Sequence, residues 1–125
     1  MDEVIAILKN DEQLKNLISG IYPFGEGSTV NECIVYEFYT VSDNGIKATD
    51  VLMIDAIGFS IGKSLAIIER VKSLLLTLGD TKLTNKVLKV EQNGGGSLKN
   101  VIGNKTMYYQ KATLSLIHIS EPTRL

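Results

Sequence analysis

The sequence carries one cysteine and one histidine, and its acidic and basic residues cancel to a net charge of −1. A lone Cys33 cannot close an internal disulfide, which suits a reducing compartment. The near-neutral balance gives no strong field toward nucleic acid or an anionic membrane. The apolar run from Val51 to Ile61 is too short for a membrane span and is interrupted by Asp55. Asp2 and Glu3 stand where a signal peptide would carry basic residues. No Cys/His cluster exists to predict a metal site, and no cofactor is expected. Repeats and low-complexity tracts are absent. What remains, 44% apolar and 22% charged residues over 125 positions, is the composition of one ordinary globular domain. A chain of this size builds one two-layer core and leaves little room for a separate substrate domain.

The segment Leu114 to Arg124, LSLIHISEPTR, resembles the uninterrupted translation of a transposon-based sequencing adapter. Residues 114–125 are therefore read as a non-native tail, and residues 1–113 as a single α+β domain cut near Thr113. On that reading neither His118 nor Pro122 belongs to the natural protein.

Asp2 is placed to cap a first helix with Val4, Ile5, Ile7 and Leu8 as its apolar positions. Asp11 caps a second, short helix carrying Leu14, Leu17 and Ile18, and Gly20 is read as its C′ residue. Ile21 to Gly25 is extended and Glu26 to Asn31 is loop. Glu32 to Val41 is rich in β-branched and aromatic residues and reads as a strand. Ile34, Tyr36 and Phe38 share one face; Cys33, Val35, Tyr39 and Val41 share the other. Ser42 to Gly45 is a turn signal, and Lys47 to Gly58 returns as the second arm of a hairpin. In that arm Leu52, Ile54 and Ala56 oppose Val51, Met53, Asp55 and Ile57. Ser60 caps a long helix with Ile61, Leu65, Ile68, Val71 and Leu75 on its apolar period, closed by Gly79. Phe59 and Ile61 are expected to anchor its entry in the core. Val87, Leu88 and Val90 mark a third strand. Asn93 to Ser97 reads as a mobile hairpin tip, and Met107 to Thr113 as the last strand. The expected fold is α+β: a small antiparallel or mixed sheet of about four strands with helices on one face.

Gly62-Lys63-Ser64 is the chemically suggestive triplet, because it has the strand, turn and helix setting of a phosphate-binding loop. The spacing departs from that motif: Gly58 to Gly62 encloses three residues, one too few for backbone N–H groups to wrap a phosphate. Nucleotide binding through Lys63 and Ser64 stays an alternative, as does a generic protein-binding adaptor. Asp50 and Asp55 lie on opposite faces of one strand and cannot form a carboxylate pair. Asp55 is read as a rim or interface residue paired with a cation. Cys33 is read as a small strand residue, without a histidine to activate it. Lys82, Lys86 and Lys89 form a thin solvated scatter.

The order of features resembles the tail-completion, or head-to-tail joining, proteins of long-tailed bacteriophages. The features carrying it are the break at Asp11, Leu14 and Leu17 leading into Gly20-Ile21-Tyr22-Pro23, and the strand at Ile34-Val35-Tyr36. The Val51–Ile57 strand running into the following helix and the strand at Tyr108-Tyr109 complete the set. The resemblance covers nearly all of residues 1–113 and implies a non-enzymatic virion protein. It would act as a homo-oligomeric ring at the head-tail junction, with tail-tube and head-completion proteins as partners and no membrane or direct nucleic-acid recognition. Two strands apolar on both sides need more cover than the helices supply, and a neighbouring subunit would provide it. Val35, Tyr39, Val41, Met53, Asp55 and Ile57 are the candidate interface residues.

Overall fold

The computed structural model describes residues 2–25, 32–43, 47–76 and 87–119. Their order is α1 (Asp2–Lys9), α2 (Glu12–Leu17), β1 (Ile21–Pro23), β2 (Cys33–Asp43), β3 (Lys47–Gly58), α3 (Ile61–Leu75), β4 (Val87–Ile102) and β5 (Lys105–Ile119). The class is α+β as expected, but the sheet has five strands, in the order β1-β2-β3-β5-β4. The added strand is β1, which pairs in parallel with β2 and makes the sheet mixed. Its extended character was legible; its pairing was not, because three residues carry no periodicity.

β2 and β3 form the predicted hairpin, with Tyr36 opposite Ile54 and Phe38 opposite Leu52. β2 runs on through Ser42 and Asp43, past a register shift between Thr40 and Ser42, so those two residues belong to the strand. Asn44 and Gly45 of the predicted turn lie outside the described residues, as do the loop at 26–31, Gly79, Lys82 and Lys86. β5 lies antiparallel between β3 and β4, so β3 and β4 run parallel with α3 in the connection between them.

The main core lies between the three helices and one face of the sheet. Val4, Ile5 and Leu8 of α1, Leu14 of α2 and Ile67, Ile68, Val71 and Leu75 of α3 pack on Ile34, Leu52, Ile54, Ala112, Leu114 and Leu116. Full burial of one such side chain stabilises the fold by about 1.5–3 kcal/mol. The inward stripe of α3 is Ser64, Ile67, Ile68, Val71 and Leu75. This corrects the expected stripe: Ile61 and Leu65 are exposed, because the helix is turned so that Ser64 faces inward at its first turn. Phe59 is exposed too, so neither Phe59 nor Ile61 anchors the helix entry in the core.

Both expected caps on α2 and α3 hold. The Leu14 N–H donates to Asp11 Oδ2 at 3.0 Å and the Lys63 N–H to Ser60 Oγ at 3.1 Å. The C-terminal ends differ from expectation. α2 stops at Leu17 with Ile18 extended as its cap, and α3 stops at Leu75 with Leu76 extended. Gly20 is therefore not a left-handed C′ residue. Its lack of a side chain admits the Tyr22 ring, whose Cζ would lie 2.6 Å from an added Cβ.

Asn93 to Ser97 is not a hairpin tip. Gly94, Gly95 and Gly96 lie within β4, opposite Thr113, Ala112 and Lys111. The reversal is at Gly103-Asn104, between Ile102 and Lys105, where Gly103 has φ +60° at the first position of a two-residue turn. Glycine inside β4 serves close approach: a Cβ on Gly95 would stand 2.7 Å from the Lys111 carbonyl oxygen. β5 runs beyond Thr113, and residues 114–119 pair with β3.

Candidate functional site

Two regions carry the sequence-derived candidates: the turn from Gly58 to Ser64, and the sheet face away from the helices.

At the turn, β3 ends against the first turn of α3. An added Cβ on Gly58 would lie 2.9 Å from the Ser64 nitrogen, so glycine is what permits this approach, whereas Gly62 faces open space. Lys63 and Ser64 diverge. Lys63 Nζ stands 3.8 Å from Glu32 Oε1 at the surface. Ser64 is fully buried; its hydroxyl donates to the Ile61 carbonyl at 2.9 Å, and Gln110 Nε2 approaches it at 3.5 Å. Gln110 in turn accepts from the Ser97 hydroxyl at 2.6 Å, which ties α3 to β4 through β5. A second Glu32 oxygen accepts from the Phe59 N–H at 3.2 Å. A carboxylate of the chain itself thus sits at the turn into α3, held by the Phe59 N–H and Lys63 Nζ. The sequence reading missed Glu32, because it lies far from the turn in sequence and carries no motif.

From α3, Arg70 Nε and Nη2 donate to the two oxygens of Asp11 at 2.9 and 2.7 Å. Asp11 therefore caps α2 and clasps α3 at once. Hydrogen bonding from Arg70 holds its carboxyl below the usual aspartate range against partial desolvation, and the same pairing raises Arg70 further.

Asp50 and Asp55 point to opposite sides, as their odd spacing requires. Asp50 is nearly buried and accepts from the Thr40 hydroxyl at 2.9 Å. Asp55 pairs with Lys111 Nζ at 3.0 and 3.2 Å across the β3–β5 ladder. Cys33 is buried, and desolvation pushes its thiol up to about 11, far from a reactive thiolate. Lys89 pairs with Glu91 at 2.8 Å. Among the described residues no group of three His, Cys, Asp or Glu side chains could hold a metal, and no helix is long and apolar enough to cross a membrane.

The sheet face away from the helices holds the candidate interface. One end carries a small second core of Cys33, Ile57 and Met107, with Tyr22, Val35 and Tyr109 packed on it. Ile57 is thus fully enclosed within the chain, and Val35 is half-buried. Further along, the face opens: Tyr39 is 48%, Val41 60% and Met53 37% exposed. Asp55 sits between these regions in its pair with Lys111. A second apolar area surrounds the start of α3, where Phe59, Ile61 and Leu65 are exposed beside a groove of about 270 Å³ lined by Ile61, Ser97, Leu98, Lys99, Tyr108 and Gln110.

No family model and no curated protein sequence matches the chain. Among solved structures, the fold is similar to that of a chain in the virion of a native gene transfer agent (GTA) particle. The two superpose with a TM-score of 0.67 over 94% of this chain and 92% of that one, at 14% sequence identity. At that identity the likeness is one of fold.

Proposed function

We propose that this chain is a non-enzymatic structural protein of a phage or prophage virion, which completes the tail and joins it to the head as a homo-oligomeric ring. The observation that carries the reading is the likeness to a chain of a phage-like virion across nearly the whole length of both molecules. It agrees with the resemblance of the sequence to tail-completion proteins, which rests on separate features. The open sheet face supports the ring: Tyr39, Val41 and Met53 form an apolar strip of the kind that closed assemblies cover with a neighbouring subunit. Val35 and Asp55 would border that contact. The protein would then work at the head-tail junction of the virion, between tail-tube and head-completion proteins, with no cofactor.

Deleting the gene from its phage or prophage is expected to give filled heads and separate tails by electron microscopy. Infectious, joined particles formed without the protein would refute the reading. Capsid, portal and tail-tube genes are expected beside it. A Lys63→Ala variant is expected to complement the deletion fully, since Lys63 is given no phosphate to hold.

Residues 114–125 are proposed to be adapter-derived. Leu114 and Leu116 fill the main core opposite Leu52 and Asp50 of β3. Resequencing the gene is therefore expected to recover a different segment after Thr113, with apolar residues at both positions. Recovery of the same LSLIHISEPTR codons would end this proposal.

A further inference from the structure

Among the exposed apolar residues, which also include Phe24, Leu98 and Val101, two groups stand apart: Tyr39, Val41 and Met53 on the open face, and Ile61 and Leu65 on α3 on the helical side, with Phe59 at the turn before them. A two-fold contact through either group would leave the other in water. A head-to-tail contact, which brings one patch of a subunit onto a different patch of the next, covers both, and closes into a ring when the rotation between subunits divides a full turn.

The charges around the two groups are opposite in sign. Glu37 is exposed on the open face, directly across the ladder from Met53. Beside the α3 group, Lys99 lines the groove and Lys105 lies over the Phe59 ring, 5.5 Å from its centroid. Both lysines are exposed, and among the described residues none of Glu37, Lys99 and Lys105 has an ion-pair partner within the chain. An acidic side chain within one apolar patch and two basic ones at the rim of the other are what mutual recognition needs.

We infer that a second copy of this chain docks its Tyr39–Val41–Met53 face, with Glu37, onto the Phe59–Ile61–Leu65 surface of its neighbour, where Lys99 and Lys105 receive the carboxylate. This rests on the ring reading above and names its interface.

The test uses the full chain at a concentration where the wild type assembles, with oligomer mass read by light scattering. Tyr39→Cys and Leu65→Cys variants, each exposed at the surface, are treated separately and mixed with a short bis-maleimide; the buried Cys33 is not accessible to it. The expected result is a covalent dimer in the mixture and none in either variant alone. A dimer in a single-variant sample, or none in the mixture, overturns the interface. Glu37→Lys is expected to weaken assembly about tenfold or more, because it faces Lys99 and Lys105 with a like charge. Adding Lys99→Glu and Lys105→Glu to it is expected to restore assembly; unchanged assembly of Glu37→Lys alone would overturn the charge match. Thermal melts of each variant exclude loss of fold. Wild type that assembles without the mixed dimer removes this interface and leaves the ring standing. Wild type that forms no oligomer in solution or on tails removes the ring itself, and the interface with it.

Discussion

Leu52 and Met53 are neighbours in β3, both apolar and close in volume, yet Leu52 is fully buried and Met53 is 37% exposed. The difference is one step of the strand period, which turns Leu52 toward three helices and Met53 toward the uncovered side. The same split runs across the sheet. Ile34, Ile54 and Leu114 lie in the main core, while Tyr39 and Val41 stand in solvent. Only at one end does the second face make a core of its own, around Cys33, Ile57 and Met107. Apolar character thus serves stability throughout one face, and on the other around Cys33, Ile57 and Met107 and at Val51, while Tyr39, Val41 and Met53 stay exposed.

The sharpest way to break this comparison is to truncate both residues. Leu52→Ala is expected to lose about 2–5 kcal/mol in denaturant unfolding, and Met53→Ala to stay within about 0.5 kcal/mol. Equal losses would mean that the monomer buries both faces. Next in size, Gly95→Ala is expected to cost about 1–3 kcal/mol, because its Cβ would stand 2.7 Å from the Lys111 carbonyl. Gly96→Ala, which meets nothing within 4 Å, is expected to be neutral or slightly stabilising. A reversed order would restore the mobile-loop reading of the glycines.

The Asp11–Arg70 clasp pins the helical layer that makes the covered face covered. Asp11 has a depressed pKa in the folded chain, so its contribution is present above the ordinary aspartate value. It is lost as pH falls through the depressed one. Asp11→Asn is expected to melt below the wild type at neutral pH, the gap closing in acid; a gap that persists unchanged in acid would assign it to packing. The smallest effect concerns the second core. Cys33, buried and with its thiol raised to about 11, is expected to react with a disulfide reagent at pH 8 only after denaturant is added. Rapid reaction in the folded chain would show that this end of the open face is not closed.

Much of the fold was legible because it rests on local signals. The Asp11 and Ser60 caps, the β2–β3 hairpin and the limits of β3 follow from side-chain chemistry and a period of two. The glycine triplet misled because glycine reads locally as a turn, whereas in β4 it answers to a neighbouring strand. At the candidate sites, the short loop at Gly58–Gly62 was visible from spacing alone. Glu32 and Arg70 were not, since their partners lie 27 and 59 residues away in the chain.

The sequence by itself determined the α+β class, the alternating faces of the two hairpin strands and the missing residue in the phosphate-loop spacing. All of these are set within a few residues by backbone geometry. Only the tertiary structure decided which face the helices take, how α3 is rotated upon it and where β4 turns. It also decided that the carboxylate of Glu32, just before β2, meets the Phe59 N–H at the turn into α3. Each of those depends on segments far apart in the chain competing for the same surface, a choice that no local pattern encodes.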